Sequence, residues 1–399
     1  GQDCCAPRPP PLHHPSTPRH STPQSPALTT QQPGARPFHA SSAHMLRYKG
    51  AQQFRQRIVL ATLSGRPVRI DGIRESHEQV GLRDYEACFL RLLEKLVNGC
   101  DIVINETGTA IRYRPGIITG GAGLSHDCGT SRAISYFVQP LLLLAPFAKA
   151  AVSITLKGIT NSADDVGVDV LRTVTVPMLR HFGISEGASL LIQKRGAPPL
   201  GGGEVVLTLP TVRELGPVQL TESAKVKRVR GVAYSAKVSP QVANRLVDAT
   251  RAVMNRFLPD VWVYTDIHKG KTSGLSPGFG LTLVAETTNG ALLSAEVVGA
   301  GGVLPEDVGA SAADALIEQI KEGGVVDSAN QPTALVLMAL GPEDVSRIRL
   351  GPLTPFTVET LRLIHDFFGI AFQIEPSSDD SLVLSCRGVG FRNTSKRVT

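Results

Sequence analysis

Short apolar segments alternate along most of this chain with longer segments in which apolar residues recur every three to four positions. The first such group predicts a strand at residues 67–70, a helix at 82–97 and a strand at 102–104. The same order recurs twice more, with helices predicted at 133–144 and 168–181. Strands that alternate with helices are typical of α/β domains, so the pattern predicts an α/β fold in which one order of elements repeats.

A further group of elements is predicted between residues 231 and 285. It begins with a strand at 231–237 and continues with a helix that starts after Ser239 as N-cap and extends to Phe257. Strands at 261–265 and 281–285 follow. This part of the chain therefore predicts a small α/β unit of its own.

The first 44 residues differ from the rest in composition. They contain 10 of the 28 prolines and half of the histidines, with Ser, Thr and Gln between them and almost no aliphatic residues. Such a segment cannot bury enough apolar surface to offset the entropy lost on ordering. We therefore expect residues 1–44 to form a disordered tail.

Composition limits the classes of function. With 399 residues, 42% of them hydrophobic, the chain is long enough for two folded units with substantial cores. No apolar run reaches the roughly 18 residues that cross a bilayer, so a membrane-spanning protein is not expected. The six cysteines lack the paired spacing of metal sites and are expected to be reduced thiols. The net charge of +6 favours polyanionic partners without identifying one.

A glycine-rich loop is the most specific local feature. Residues 195–203 read Arg-Gly-Ala-Pro-Pro-Leu-Gly-Gly-Gly and lead into a strand-like run at 204–207. Successive glycines permit positive φ and bring backbone amides close to another group. The candidate anion- or RNA-binding residues of this loop are Lys194, Arg195, Gly201, Gly202 and Gly203.

This spacing resembles the signature of the RNA 3′-terminal phosphate cyclases. Other family-like segments occur around it in the expected order, at residues 65–70, 115–121, 127–132 and 156–160. The resemblance implies α+β repeats, each a four-stranded sheet covered by two helices, with a smaller inserted α/β domain. On this basis we expect the main domain at residues 45–221 and 299–399, and the insert at 222–298.

The resemblance also implies a nucleophilic histidine, which this chain lacks. In the active cyclases that histidine takes AMP from ATP and opens a short segment before an apolar helix, whereas the matching segment here opens with Asp327. A carboxylate would repel the triphosphate that it would have to attack. The family's metal-holding glutamate is replaced by Tyr48. We therefore expect no catalysis of AMP transfer, no cofactor and no bound metal.

Two groups of residues remain candidates for binding anions or RNA. Gln52, Arg55 and Arg74 match the family's phosphate-handling residues, although a second arginine is replaced by His77. The second group is a basic run, alternating with valines, that comprises Lys225, Lys227, Arg228 and Arg230. This run suits phosphate contacts and equally suits a strand edge protected by charge. No aromatic residue is interleaved with it, so stacking on bases is not indicated.

Two other motifs are interpreted as structural. Residues 270–272 read Gly-Lys-Thr but lack the upstream glycine and the following helix of a phosphate-binding loop, so they predict a turn. Residues 125–128 gather Ser, His, Asp and Cys, yet neighbours in sequence rarely converge on one substrate atom. We expect this segment to form a strand-to-helix corner.

A family scaffold without its nucleophile resembles the nucleolar, non-cyclase branch of this family. That resemblance implies a non-catalytic factor of the small-subunit processome, located in the nucleus and nucleolus and needed for early pre-rRNA processing toward 18S rRNA and the 40S subunit. The implied partners are a nucleolar GTPase and, within the particle, pre-rRNA and small nucleolar ribonucleoprotein components. Two alternatives stay open: an endoribonuclease that cleaves the pre-rRNA spacer and uses Asp327, and an active cyclase with a different nucleophile.

Overall fold

The computed structural model of the chain describes residues 44–377 and 381–395. All of the predicted tail except His44 therefore lies outside the described residues. In the described part, helices alternate with mixed four-stranded sheets, which confirms the α/β fold.

The first repeat follows the order strand, helix, strand, helix and two further strands. Its elements, with a short extra ladder, are β1 (Leu46–Lys49), α1 (Phe54–Ser64), β2 (Val68–Asp71), α2 (Asp84–Leu96), β3 (Val97–Asn98), β4 (Asp101–Ile104), β5 (Ile111–Arg114) and β6 (Ile117–Ile118). The main sheet has the order β1-β2-β5-β4, whereas β3 and β6 pair separately. Only β1 and β2 are parallel, because the helix between them carries the chain back to the same end of the sheet.

The second repeat has the same strand relations. Its elements are β7 (Gly121–Asp127), α3 (Ile134–Leu144), β8 (Val152–Gly158), α4 (Val168–Val170), α5 (Val176–Met178), β9 (Ser189–Lys194) and β10 (Gly203–Leu209). A π turn at Leu171–Thr175 joins α4 to α5, and a 3₁₀ turn at Leu179–Phe182 follows. Together they form one helical segment over residues 168–182, which ends at Gly183 with a φ of 86°. The sheet order is β7-β8-β10-β9.

The third repeat is interrupted by a fourth sheet. The chain forms β11 (Gln219–Leu220) and then enters the inserted unit, which contains β12 (Val226–Ala236), α6 (Gln241–Met254), β13 (Val261–His268), β14 (Gly278–Thr287), β15 (Leu292–Val298) and α7 (Pro305–Glu322). The inserted sheet has the order β13-β12-β14-β15, and α6 and α7 cover one of its faces. The second covering helix, α7, thus lies beyond the boundary at residue 298 that the sequence predicted.

The chain then completes the third repeat. Its remaining elements are α8 (Gln331–Leu340), β16 (Val345–Leu350), α9 (Pro355–Phe368), β17 (Gln373–Pro376) and β18 (Leu382–Arg387). The sheet order β11-β16-β18-β17 reproduces the parallel and antiparallel relations of the first two sheets. The repeated units implied by the family resemblance are therefore present.

Each repeat contributes one helix to the centre of the molecule. These are α1, α3 and, after the insert, α8. Nearly every residue of α1, α3 and α8 is buried, and α3 packs on both α1 and α8. α3 and α8 are apolar on nearly all sides, and such helices are stable only when protein surrounds them. No helix in the described residues has both the length and the apolar character required to cross a membrane.

Candidate functional site

Asp327 lies at the start of the turn that leads into α8 and is completely buried. Its Oδ1 accepts hydrogen bonds from Asn330 N at 3.0 Å and Asn330 Nδ2 at 2.7 Å. Its Oδ2 accepts from the backbone N of Ser294 at 3.1 Å and from the Ser294 hydroxyl. Burial raises the pKa of Asp327, and these hydrogen bonds oppose that shift. The carboxyl group therefore holds the turn that leads into α8, links it to β15 and does not face an open cleft.

Tyr48 lies where the family resemblance leads one to expect a metal-holding glutamate. Its hydroxyl donates to Asp366 of α9 at 3.0 Å, and its ring stacks on Phe367 with centroids 6.1 Å apart. The guanidinium of Arg57 lies 4.5 Å from the ring centroid. Burial, followed by the nearby Asp366 carboxylate, raises the pKa of Tyr48, so this side chain stays neutral and fixes β1 to α9.

A cavity of about 200 Å³ lies beside the N-terminal end of α1. Arg55, Arg74 and Arg132 all line it. Arg74 forms a bidentate ion pair with Glu86 at 2.6 and 2.7 Å, and Arg132 pairs with Asp165.

Arg55 is bound differently from the other two arginines of this cavity. Its guanidinium donates to Tyr136 O at 2.6 Å and to Gln139 Oε1 at 2.8 Å, and it lies 4.3 Å from the Tyr136 ring centroid. Its partners are therefore neutral, which leaves a positive charge inside the cavity.

Two of the residues that the sequence marked as candidates for anion binding line this cavity. Arg55 and Arg74 are brought together, whereas Gln52 is exposed and does not line the cavity. Its neighbour Gln53 does, and the Oε1 of Gln53 is buried without a hydrogen-bond partner among the described residues. Sequence reasoning missed Arg132, although it ends the family-like segment at 127–132, because nothing local placed it beside α1.

Arg195 of the glycine-rich loop is only 1% exposed. Its guanidinium donates to Asp169 at 2.6 and 2.8 Å and to Asp266 at 2.7 and 2.9 Å. It also lies 4.6 Å from the ring centroid of Tyr234. Arg195 therefore joins α4 of the second repeat to β12 and β13 of the insert. The expectation that it contacts an external anion does not agree with this burial.

The glycines of this loop approach the protein's own backbone. Leu275 N donates to Gly201 O at 2.8 Å, and Arg195 N donates to Thr272 O at 3.1 Å. Gly201 and Gly202 have φ of 62° and 80°, which favour glycine. A Cβ on Gly203 would lie 2.7 Å from Gly196 N. Gly203 thus packs within the second repeat, whereas Gly201 and Gly202 contact Gly274 and Leu275, which follow the turn at Gly270–Thr272.

The remaining basic candidates lie on or near the inserted sheet. Arg228 pairs with Glu286 at 2.6 Å and Arg230 pairs with Asp260 at 2.8 Å, whereas Lys225 and Lys227 are exposed. β12 lies between β13 and β14, so the alternative of a protected edge strand does not describe it. Lys194 is half exposed, and its Nζ is 3.9 Å from Glu204.

The segment at residues 125–128 forms the end of β7 before α3, as predicted. His126 is buried, with its Nε2 3.2 Å from Cys88 Sγ, and burial lowers its pKa to about 4. A neutral, enclosed imidazole of this kind has a packing role.

The fold consists of three strand-and-helix repeats and an inserted sheet, and the glycine-rich loop connects the insert to the second repeat. This combination defines one class of protein. A family profile described as RNA 3′-terminal phosphate cyclase matches residues 46–374, and the chain belongs to that family. It is similar to the RNA 3′-terminal phosphate cyclase-like protein of Homo sapiens, with 51% identity over 370 residues that cover 90% of this chain and 99% of the relative.

Two further relatives extend the comparison. The chain is 49% identical over 368 residues to the probable RNA 3′-terminal phosphate cyclase-like protein of Dictyostelium discoideum, with 88% of this chain and 99% of the relative covered. It is 45% identical over 362 residues to the rRNA processing protein rcl1 of Schizosaccharomyces pombe, with 90% and 99% covered.

Proposed function

We propose that this protein is a non-catalytic factor in rRNA processing. The observation that carries the proposal is the state of Asp327, which occupies the expected nucleophile position, is fully buried and accepts four hydrogen bonds. The name of the human relative, a cyclase-like protein, supports the absence of cyclase chemistry. The name of the fission-yeast relative, an rRNA processing protein, supports the role in rRNA processing. Without an accessible nucleophile, the family scaffold keeps its shape and loses AMP transfer.

The finer proposal follows the family resemblance. The protein acts in the nucleolus as a component of the small-subunit processome, where it serves as a docking platform for a nucleolar GTPase during maturation of 18S rRNA for the 40S subunit. A rigid fold built from three interlocked repeats suits a platform, because its surface is fixed before the partner binds.

Transfer of labelled AMP tests the absence of cyclase chemistry. Purified full chain is incubated with ATP labelled in the α-phosphate, Mg²⁺ and RNA ending in a 3′-phosphate, with an active cyclase as positive control. We expect no covalent label and no cyclic phosphate. Asp327→His is expected to remain inactive as well, because the position is enclosed by protein. A covalent AMP adduct on the unaltered chain would overturn the proposal.

Processing in cells tests the role in rRNA maturation. When the fission-yeast relative is depleted, we expect this chain to restore 18S rRNA, to accumulate in the nucleolus as a fluorescent fusion and to co-purify with a GTPase. Folded Asp327→Asn protein should restore 18S rRNA as well as the unaltered chain does, because the carboxyl group takes no part in a reaction. If the folded variant instead leaves the spacer uncut, and the purified unaltered chain cleaves spacer RNA, the endoribonuclease alternative replaces this proposal.

A further inference from the structure

Two aromatic side chains are exposed on the inserted sheet. Trp262 and Tyr264 of β13 are 52% and 57% exposed, and their rings lie 6.1 Å apart in an edge-to-face arrangement. Val263 between them is buried in the core that α6 and α7 cover. Side chains alternate along a strand, so both aromatic rings lie on the face opposite those helices.

The neighbouring strand places basic residues beside this pair. In the parallel register of β12 and β13, Arg230 is opposite Trp262 and Val232 is opposite Tyr264. Arg228 lies two positions before Arg230 and therefore on the same face. The sequence separates these basic residues from the aromatic pair, and only the pairing of the strands brings them together.

The helical segment of the second repeat covers only part of this face. Val170 and Val174 pack on Val284 of β14. A groove of about 400 Å³ is lined by Tyr264, Arg230, Glu286 and other residues of the sheet, and by Thr173 of the helical segment. The groove therefore lies where the helical segment meets the part of the sheet face that carries Tyr264.

Exposed cationic side chains lie near one end of this face. Over residues 222–322, which include α7, the inserted unit has eleven Lys and Arg against eleven Asp and Glu, so attraction of a polyanion depends on where the cations lie and not on net charge. Lys225 and Lys227 at the start of β12 are exposed, and no ion pair involves them within the described part of the chain. Arg251 steadies Trp262, with its guanidinium 5.5 Å from the ring centroid.

We propose that this face binds single-stranded RNA, with bases stacked on Trp262 and Tyr264 and the backbone phosphates beside Arg230 on the same face and beside Lys225 and Lys227, which lie at the irregular start of β12. Exposed aromatic rings next to cationic side chains are how proteins hold unpaired RNA, since every base has a face that can stack. In a duplex the bases are already stacked and unavailable. The proposal deepens the proposed function by giving it a surface for RNA.

The single tryptophan of the chain, Trp262, provides a direct test. The full chain is titrated with a single-stranded RNA of about 12 nucleotides, a length that such surfaces accommodate. We expect quenching of Trp262 fluorescence that weakens steeply with added salt, and little quenching by the same RNA in duplex form. Absence of quenching at low salt, or equal quenching by the duplex, would overturn the proposal.

Matched variants locate the binding surface. By anisotropy of labelled RNA, Trp262→Ala and Tyr264→Ala should each weaken binding roughly tenfold, whereas Trp262→Phe should keep most of it, because a phenyl ring can still stack on a base. Leu191→Ala, a comparably exposed apolar residue on β9, is the control and should change nothing. Circular dichroism shows whether each variant is folded.

Charge variants complete the test. Lys225→Glu with Lys227→Glu should weaken binding at least as much as the aromatic changes, whereas Lys269→Glu with Lys271→Glu, the same charge change near the end of β13, should have little effect. Equal losses from both pairs would show unlocalised attraction and overturn the proposal. So would a folded Trp262→Ala that binds RNA normally. Either of these results would overturn RNA binding by this face and leave the proposed function unaffected, because the proposed function is tested separately by rRNA maturation in cells.

Discussion

At the residue scale, the carboxyl groups of Asp327 and Glu296 differ in the hydrogen bonds that their surroundings supply. Asp327 and Glu296 both lie in the region where the insert meets the repeats, but Asp327 has four donors, whereas the Oε2 of Glu296 has no hydrogen-bond partner in the described residues. Gly167 N donates to the other oxygen of Glu296 at 2.5 Å. The two groups should therefore respond differently to substitution.

Removal of the Asp327 carboxyl group should destabilise the fold strongly. Asp327→Ala leaves the donors of Ser294 and Asn330 buried and unpaired, which should lower the free energy of unfolding by about 3 kcal/mol. Urea denaturation measures this change. Asp248→Ala, at an exposed position on α6, is the control and should stay within about 0.5 kcal/mol. An equal effect of the two substitutions would contradict the structural role of Asp327.

Glu296 should make stability depend on pH in an unusual direction. Burial, followed by the charges of Asp169 and Asp327, raises the pKa of Glu296 to about 8. The folded state keeps a proton that the unfolded state releases near its ordinary pKa of about 4.5. The stabilisation is therefore complete below pH 4.5 and is lost as the pH rises toward 8.

Glu296→Gln tests this dependence, because glutamine is neutral at every pH. The free energy of unfolding of the variant, relative to the unaltered chain, should rise by on the order of 2 kcal/mol between pH 5 and pH 8. A difference that stays constant over this interval would show that Glu296 is already ionised in the folded chain.

At the scale of elements, the glycine-rich loop acts as a junction. Gly274→Ala, on the insert side, would place a Cβ against Gly201 O and 2.8 Å from both Arg195 O and Gly196 Cα, so backbone would have to move. We expect a loss of about 2–3 kcal/mol, measured by thermal or urea unfolding. Gly216→Ala is the matched control, since its nearest neighbour would be 4.0 Å away, and it should be close to neutral. Similar stabilities for the two variants would contradict the junction.

The elements themselves were largely predictable from sequence. Helices expected at 82–97 and 133–144 are observed at Asp84–Leu96 and Ile134–Leu144, because their apolar spacing reports local packing directly. The helix expected at 168–181 contains a π turn that periodicity does not reveal. Contacts between distant elements were harder to foresee: the burial of Arg195 between Asp169 and Asp266 depends on how the insert packs against the second repeat.

At the scale of the whole molecule, Arg195 couples the insert to the repeats. Arg195→Met would leave Asp169 buried with only the partly exposed Arg172 as ion-pair partner, which should cost about 3–5 kcal/mol. Scanning calorimetry of the unaltered chain should show one transition that Arg195→Met lowers or splits. Arg228→Met, which breaks the exposed pair with Glu286, should cost less than about 1 kcal/mol. If Arg195→Met and Arg228→Met unfolded in a single transition at the same temperature, this coupling would be contradicted.

The position of β11 has a consequence for how the chain is made. Its partner β16 follows only after the whole inserted unit has been synthesised. At roughly 5–20 residues per second, a strand emerging from the ribosome would wait on the order of ten seconds for that partner. During this interval β11 has no strand to pair with, so the insert has time to fold first, and the last repeat then forms beside a folded insert.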